Sequence, residues 1–186
     1  MFLTKLSLSS MKIIAFGASY SSTSINKQFA TYATTYFAGY EIELLDLNNY
    51  PLPVFTVDLE KRGYPAPVKQ FIDKIAEGDF IIISMAEHNG SYTAAFKNLF
   101  DWTSRVKAKI FEGKKLLLLS TSDGRRGAIS VLETAKTRFP FHGAEIIGSF
   151  SLPQFYNNFN PESGIVNAEL KEVFEKVIEE VKEKLL

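Results

Sequence analysis

Short aliphatic runs alternate along the chain with segments whose apolar positions recur every three or four residues. The runs are KIIAF (12–16), EIELLDL (41–47), DFIIISM (79–85), KKLLLLSTS (114–122) and AEIIGSFSL (144–152). Residues 12–16, 80–84 and 116–120 are apolar almost without a break, the pattern of strands covered on both faces of a parallel sheet, whereas 41–45 alternates as an edge strand does. Between the runs, the spacing predicts helices over 25–37, 68–77, 93–105, 128–139 and 168–186. The last of these carries apolar residues at 173, 174, 177, 178, 181 and 185, an amphipathic cover for a sheet. Its polar face mixes charges of both signs, which disfavours a lipid surface.

Strict alternation of strand and helix predicts an α/β, doubly wound sandwich with right-handed crossovers. Five strands favour the flavodoxin-like order 2-1-3-4-5, a parallel sheet with helices on both faces. The stretch NNYPLPVFTVDLEKRGYPAP (48–67) reads as a covering loop rather than a linker between domains. One domain is expected over 11–186. Residues 1–10 are expected to be a flexible extension, because MFLTKLSLSS lacks the apolar run of about seven residues that a signal peptide needs, and strand-like sequence starts right after Met11. Nor does any segment approach the roughly 18 apolar residues of a membrane span, so a cytoplasmic protein is expected.

Composition narrows the chemistry. Acids and bases balance at 21 each, which removes both the basic footprint of a nucleic-acid binder and the acidity of many electron carriers. With no Cys, the chain has no disulfide, thiolate nucleophile or thiolate-held metal, and two His leave little for an imidazole site, so no metal is expected.

In a doubly wound sheet the ligand lies beyond the carboxyl ends of the strands where strands 1 and 3 diverge, so three loops should converge there. The first, GASYSSTS (17–24), precedes a helix; Ser24 is a candidate N-cap, and Ser19, Ser21, Ser24, Ile25 and Asn26 can offer hydroxyls, an amide and helix N-terminal N–H groups to an anion. It is neither a P-loop nor a Gly-x-Gly-x-x-Gly fingerprint. Composition alone leaves a phosphate cradle and a plain helix cap both open. The second loop holds Glu87, His88, Asn89 and Gly90, and Asn89-Gly90 is a turn signal that presents backbone groups side by side, suited to the edge of a flat heteroaromatic ring. In the helix after it, Phe96, Leu99, Phe100 and Trp102 read as core or subunit interface, and Lys97 with Asp101 as an exposed pair. The third loop runs from Thr121, Ser122 and Asp123 to Gly124, then Arg125 and Arg126, which are either solvated or able to clamp a second phosphate-bearing molecule.

GASYSSTSIN, AEHNGSYTAAFKNLFDW and STSDGRRGAISVLETAKTRFP, in this order, resemble the NADPH-dependent FMN reductase family, whose relatives reduce flavins, quinones, azo compounds and chromate. Glu87, Asn89, Gly90, Ser91, Lys97, Asn98, Asp101 and Trp102 fit the family's middle motif; Ala86 and His88 stand where Pro and Tyr are usual, and Tyr20 lies near the customary Arg. The resemblance implies that Ser19, Ser24 and Asn26 hold the FMN phosphate, that residues 87–90 meet the isoalloxazine edge, and that 121–124 line its other side. It implies hydride transfer from NADPH or NADH through FMN to a small acceptor, with no catalytic side chain and with Arg125 and Arg126 toward the pyridine nucleotide. It also implies a homodimer or homotetramer, for which the stripe at Phe96, Phe100 and Trp102 would serve. Two further readings stand beside the enzyme: a non-enzymatic FMN-binding carrier or sensor, and a degenerate member without FMN.

Overall fold

The computed structural model describes residues 11–186, and the expectation for residues 1–10 lies outside them. Five parallel strands, β1 (Lys12–Gly17), β2 (Glu41–Leu44), β3 (Phe80–Met85), β4 (Lys114–Thr121) and β5 (Ala144–Leu152), form one sheet in the order β2-β1-β3-β4-β5. This is the expected flavodoxin-like order. The connecting helices are α1 (Ile25–Thr34), α2 (Ala66–Glu77), α3 (Ala94–Val106) and α4 (Ile129–Arg138), and α5 (Ala168–Leu185) ends the chain.

Alternate residues of the central strands feed two cores, one on each side of the sheet, while the edge strand β2 stays largely exposed. Ile14, Phe16, Ile81, Ile83, Leu116 and Leu118 pack under α2, α3 and α4. Ile13, Ala15, Phe80, Ile82, Leu117 and Leu119 pack under α1 and α5. Burial on both faces explains why the central strands read as unbroken apolar runs. The closeness of α5 is set by Gly148 in β5, where a Cβ would come within 2.4 Å of Val181.

Several boundaries differ from the sequence expectation. β2 ends at Leu44 because Asp46 accepts the Asn48 amide at 2.9 Å and starts a 3-10 turn, Leu47–Asn49, that sends Leu45 and Leu47 into the core. α1 stops at Thr34, where the Thr34 and Thr35 hydroxyls each donate to a carbonyl three residues back and the chain tightens into the 3-10 turn Thr35–Phe37. α4 starts at Ile129, since Ala128 sits in left-handed backbone with φ 63°.

The covering loop after β2 is fastened to α3. Trp102 Nε1 donates to the Pro53 carbonyl at 2.8 Å, Asn98 Nδ2 donates to the same oxygen at 3.0 Å, and Asn98 Oδ1 accepts the Phe55 amide at 2.8 Å. Phe96, Phe100 and Trp102 are buried within the chain, so the stripe expected to serve an interface belongs to the core. Among the described residues no helix is long and apolar enough to cross a membrane.

Candidate functional site

The loops after β1, β3 and β4 meet at the carboxyl end of the sheet, and each owes its course to a local device. After β1, Gly17 lets the strand run hard against α1: a Cβ there would stand 2.4 Å from the Lys27 nitrogen and 2.7 Å from the Asn26 carbonyl carbon. Ser24 caps α1, its hydroxyl accepting the Lys27 amide at 3.1 Å. The amides of Ile25 and Asn26, in the helix's first turn, have no intrahelical acceptor and point out of its N-terminus, the end that favours negative charge. The Ser19 hydroxyl accepts the Ser21 amide at 3.1 Å, and Ser21 pairs with Thr23 through their hydroxyls at 3.3 Å.

Asn26 is 3% exposed, and its side chain is committed to the strand ends. Its Oδ1 accepts from the Ser84 hydroxyl at 2.7 Å and the Thr121 amide at 3.1 Å, while its Nδ2 donates to the Thr121 carbonyl at 3.1 Å. One amide thereby locks the termini of β3 and β4 to the start of α1. Tyr20, near the position where the family usually has Arg, turns away from the loop: its hydroxyl donates to the Tyr50 carbonyl at 3.1 Å, and burial raises its pKa. Lys27 forms an ion pair with Asp46, and that hydrogen bond holds the Asp46 carboxyl below its ordinary range.

After β3, Glu87 and His88 pair antiparallel with Tyr92 and Ser91, and Asn89 (φ 52°) with Gly90 (φ 76°) makes the two-residue connection. Two successive positive φ values are what Asn-Gly supplies at low cost. Glu87 reaches across to accept the Val131 amide at 2.8 Å, capping the first turn of α4.

After β4, the loop is laced to the segment following β5. Thr121 Oγ1 donates to the Leu152 carbonyl at 2.8 Å, the Phe155 amide to the Ser122 carbonyl at 2.9 Å, and the Gln154 amide to the Gly124 carbonyl at 3.0 Å. Gly127 (φ 58°) passes so close to β5 that a Cβ would stand 2.4 Å from Ser151 Oγ.

The cleft between these loops has a volume of about 340 Å³. Ser19, Ser21, Ser24, Ile25 and Asn26 line it from the first loop and the start of α1, and Glu87, His88, Thr121, Ser122 and Asp123 from the second and third loops. Asn89, Gly90, Gly124, Arg125 and Arg126 do not line it; both arginines are exposed, and Arg126 donates to the Ser130 hydroxyl at 3.2 Å. Thr23, Ala86 and Tyr156 complete the wall and were not among the residues singled out from sequence. Tyr156 was findable: it is an aromatic residue just past strand 5, on the edge where the other loops converge.

The family model of NADPH-dependent FMN reductases matches residues 11–157. The chain belongs to that family. This FMN reductase family member is 39% identical over 93 residues to an NADPH:quinone oxidoreductase of Arabidopsis thaliana, a match covering 50% of this chain and 46% of that protein. It is 26% identical over 121 residues to a quinone reductase of Escherichia coli strain K12, covering 62% of this chain and 63% of that one. The chain thus spans about half the length of the plant relative it matches. Among solved structures, the flavoenzyme NAD(P)H:(acceptor) oxidoreductase FerB of Paracoccus denitrificans superposes with a TM-score of 0.71 over 93% of this chain and 98% of that chain, at 21% identity. That likeness shows the shared fold.

Proposed function

We propose that this family member binds FMN in the cleft at the carboxyl ends of β1, β3 and β4 and passes hydride from NAD(P)H to a small acceptor such as a quinone, flavin, azo compound or chromate. The observation that carries this reading is the convergence in one cleft of ten of the thirteen residues proposed for FMN from sequence. The donor set fits the group. From the first loop and the start of α1, the hydroxyls of Ser19, Ser21, Thr23 and Ser24 and the amides of Ile25 and Asn26 suit a phosphate dianion without a guanidinium. From the second and third loops, strand termini and loop backbone offer the donors and acceptors that a heteroaromatic edge requires.

Bound FMN supplies the hydride chemistry. The protein's part is binding, orientation and access. Asn26 fixes the ends of β3 and β4 relative to the start of α1, so that donors on β4 and α1 keep a constant spacing. Glu87, by capping α4, holds the 87–92 hairpin against the third loop. No side chain moves a proton in this scheme, in keeping with a chain that has no Cys and two His. Tyr156, 74% exposed at the rim, flanks the opening through which nucleotide and acceptor enter in turn.

The test is titration of flavin-stripped protein with FMN, followed by anaerobic addition of NADPH and then a benzoquinone. Saturable quenching of flavin fluorescence, bleaching by NADPH and recovery of colour with quinone are expected. No binding at tens of micromolar FMN, or binding without bleaching by NADPH or NADH, would overturn the reading.

A further inference from the structure

The described residues that line the flavin cleft are lopsided in charge. Glu87 and Asp123 bring two carboxyl groups, and neither Lys nor Arg is among them. The nearest lysine along the chain, Lys27, lies outside the cleft in its ion pair with Asp46. Arg125 and Arg126 are exposed and do not line it. One lining side chain is able to carry positive charge, and it is His88. It is exposed, opposite Ser91 in the strand pair that Asn89 and Gly90 close. The groups around it come from several elements. Glu87, next to it, turns its carboxylate to the Val131 amide at 2.8 Å, and Asp123 reaches the cleft from the third loop. Tyr156 brings a phenol from the segment after β5, Tyr92 keeps its hydroxyl buried on the paired strand, and Arg138 of α4 lies over the Phe141 ring at 5.7 Å.

We infer that His88 selects acceptors by charge: with its imidazole protonated the cleft admits anionic acceptors, and with it neutral Glu87 and Asp123 repel them, while uncharged quinones enter in either state. The inference rests on the flavin reading of the cleft and adds to it a rule for which acceptors that site takes. Imidazole is the side chain whose charge ordinarily changes between about pH 5 and pH 8, whereas carboxyl and guanidinium groups change theirs outside that window. The arginines beyond the cleft therefore add a constant attraction, and the carboxylates a constant repulsion. His88 supplies the part that varies, and its sign is fixed: attraction for an anion fades as pH rises. His88 acts here through its charge and passes no proton to the acceptor. One other group varies in the same window, the FMN phosphate, whose second ionisation falls near about pH 6. It is common to every variant of the protein, so it is separable from His88 by substitution.

The experiment compares naphthoquinone with a naphthoquinone sulfonate as acceptors for the FMN-loaded full chain across that pH window. In both assays NADPH is oxidised to NADP⁺, and the quinone takes up a hydride and a solvent proton to become the hydroquinone. The quantity read is the ratio of kcat/KM for the sulfonate to kcat/KM for the parent quinone. In the unaltered protein it should fall about threefold to tenfold from the acid to the alkaline end, and less in high salt because His88 is exposed. His88→Gln should hold the ratio low and flat, and His88→Lys should hold it high and flat, whatever either change does to the rate with the parent quinone. A readout without turnover is the Kd of a naphthalene sulfonate, which accepts no hydride, measured by calorimetry; it should follow the same pattern. A pH slope that survives in His88→Gln belongs to the phosphate and overturns the assignment, as does a ratio that ignores pH in the unaltered protein. If FMN binds and the parent quinone is reduced without that slope, this inference alone falls; if FMN does not bind, the flavin reading falls with it.

Discussion

Asn26 shows how one side chain serves structure where the family resemblance expects it to touch ligand. It sits at the N-terminus of α1 among hydroxyls, and sequence gives it the look of a phosphate ligand, yet its amide also holds Ser84 and Thr121 through three hydrogen bonds. The partners lie 58 and 95 residues away, a separation that no local pattern reveals. Asn26→Ala would strand the buried Thr121 amide and Ser84 hydroxyl; at about 1–3 kcal/mol for each orphaned group, a loss of roughly 2–6 kcal/mol is expected in urea unfolding. Ser24, by contrast, fills the cap role its sequence position announces. Tyr92 offers the reverse case. Its hydroxyl is buried without a partner among the described residues, and desolvation pushes its pKa up to about 12, offset in part by Arg138. Tyr92→Phe removes a polar atom that forms no bond while keeping the ring against Phe96 and Phe139, so it should leave stability unchanged or raise it by about 1 kcal/mol, as thermal unfolding would register.

At the scale of elements, the covering loop and the edge strand carry separate lessons. Asn98 and Trp102 lie four apart on α3, one turn of one face, and both bind the backbone of the loop after β2. In this chain, two residues that fit the family motif therefore fasten a loop, one through an amide and the other through an indole N–H. Trp102→Phe keeps the ring and drops the donor; loss of protease resistance confined to residues 50–60, with the sheet intact by circular dichroism, is the expected result. On the edge strand β2, Glu43 pairs with Lys12 of the neighbouring β1 at 2.8 Å; Lys12 also pairs with Glu77 at 2.6 Å, and Lys74 joins the same two carboxylates. The hydrogen bond from Lys12 lowers the Glu43 pKa below 4.5, and those from Glu43 and Glu77 raise that of Lys12 above 10.5. The sign follows: the carboxylate contribution is whole above the unfolded carboxyl value and is lost as pH falls through the folded one, and the Lys12 contribution is whole below its unfolded value and fades as pH rises through the folded one. Lys12→Met should therefore flatten the fall in unfolding free energy at both the acid and the alkaline end, by modest amounts because the carboxylates are part-exposed. The strands were legible because two-sided burial leaves unbroken apolar runs. The ends of α1 and β2 were not, since they depend on Thr hydroxyls and Asp46 competing for backbone groups.

For the whole molecule, the sheet order follows from strand–helix alternation, and so does the place of the cleft, because every loop at the carboxyl edge must meet near the divergence of β1 and β3. What pattern alone does not separate is an apolar stripe facing a neighbouring helix from one facing a second subunit: Phe96, Phe100 and Trp102 have the same spacing in either case, and here the chain covers them itself. A cleft formed by loops from three strand ends has a global consequence. A ligand seated there touches parts of the chain more than a hundred residues apart, from Ser19 to Asp123, and unfolding disperses them all. Binding to the folded state alone stabilises by RT ln(1 + [L]/Kd), so FMN at a hundredfold excess over Kd adds about 2.7 kcal/mol, a rise of roughly 5–10 °C in Tm for a chain of this size. Riboflavin, which lacks the phosphate that the Ser19–Asn26 loop is proposed to hold, should give a much smaller rise at equal concentration. Equal shifts for the two would move the binding energy to the ring end of the cleft and leave the hydroxyl-rich loop as a helix cap, whereas a shift confined to FMN would place the phosphate at the N-terminus of α1.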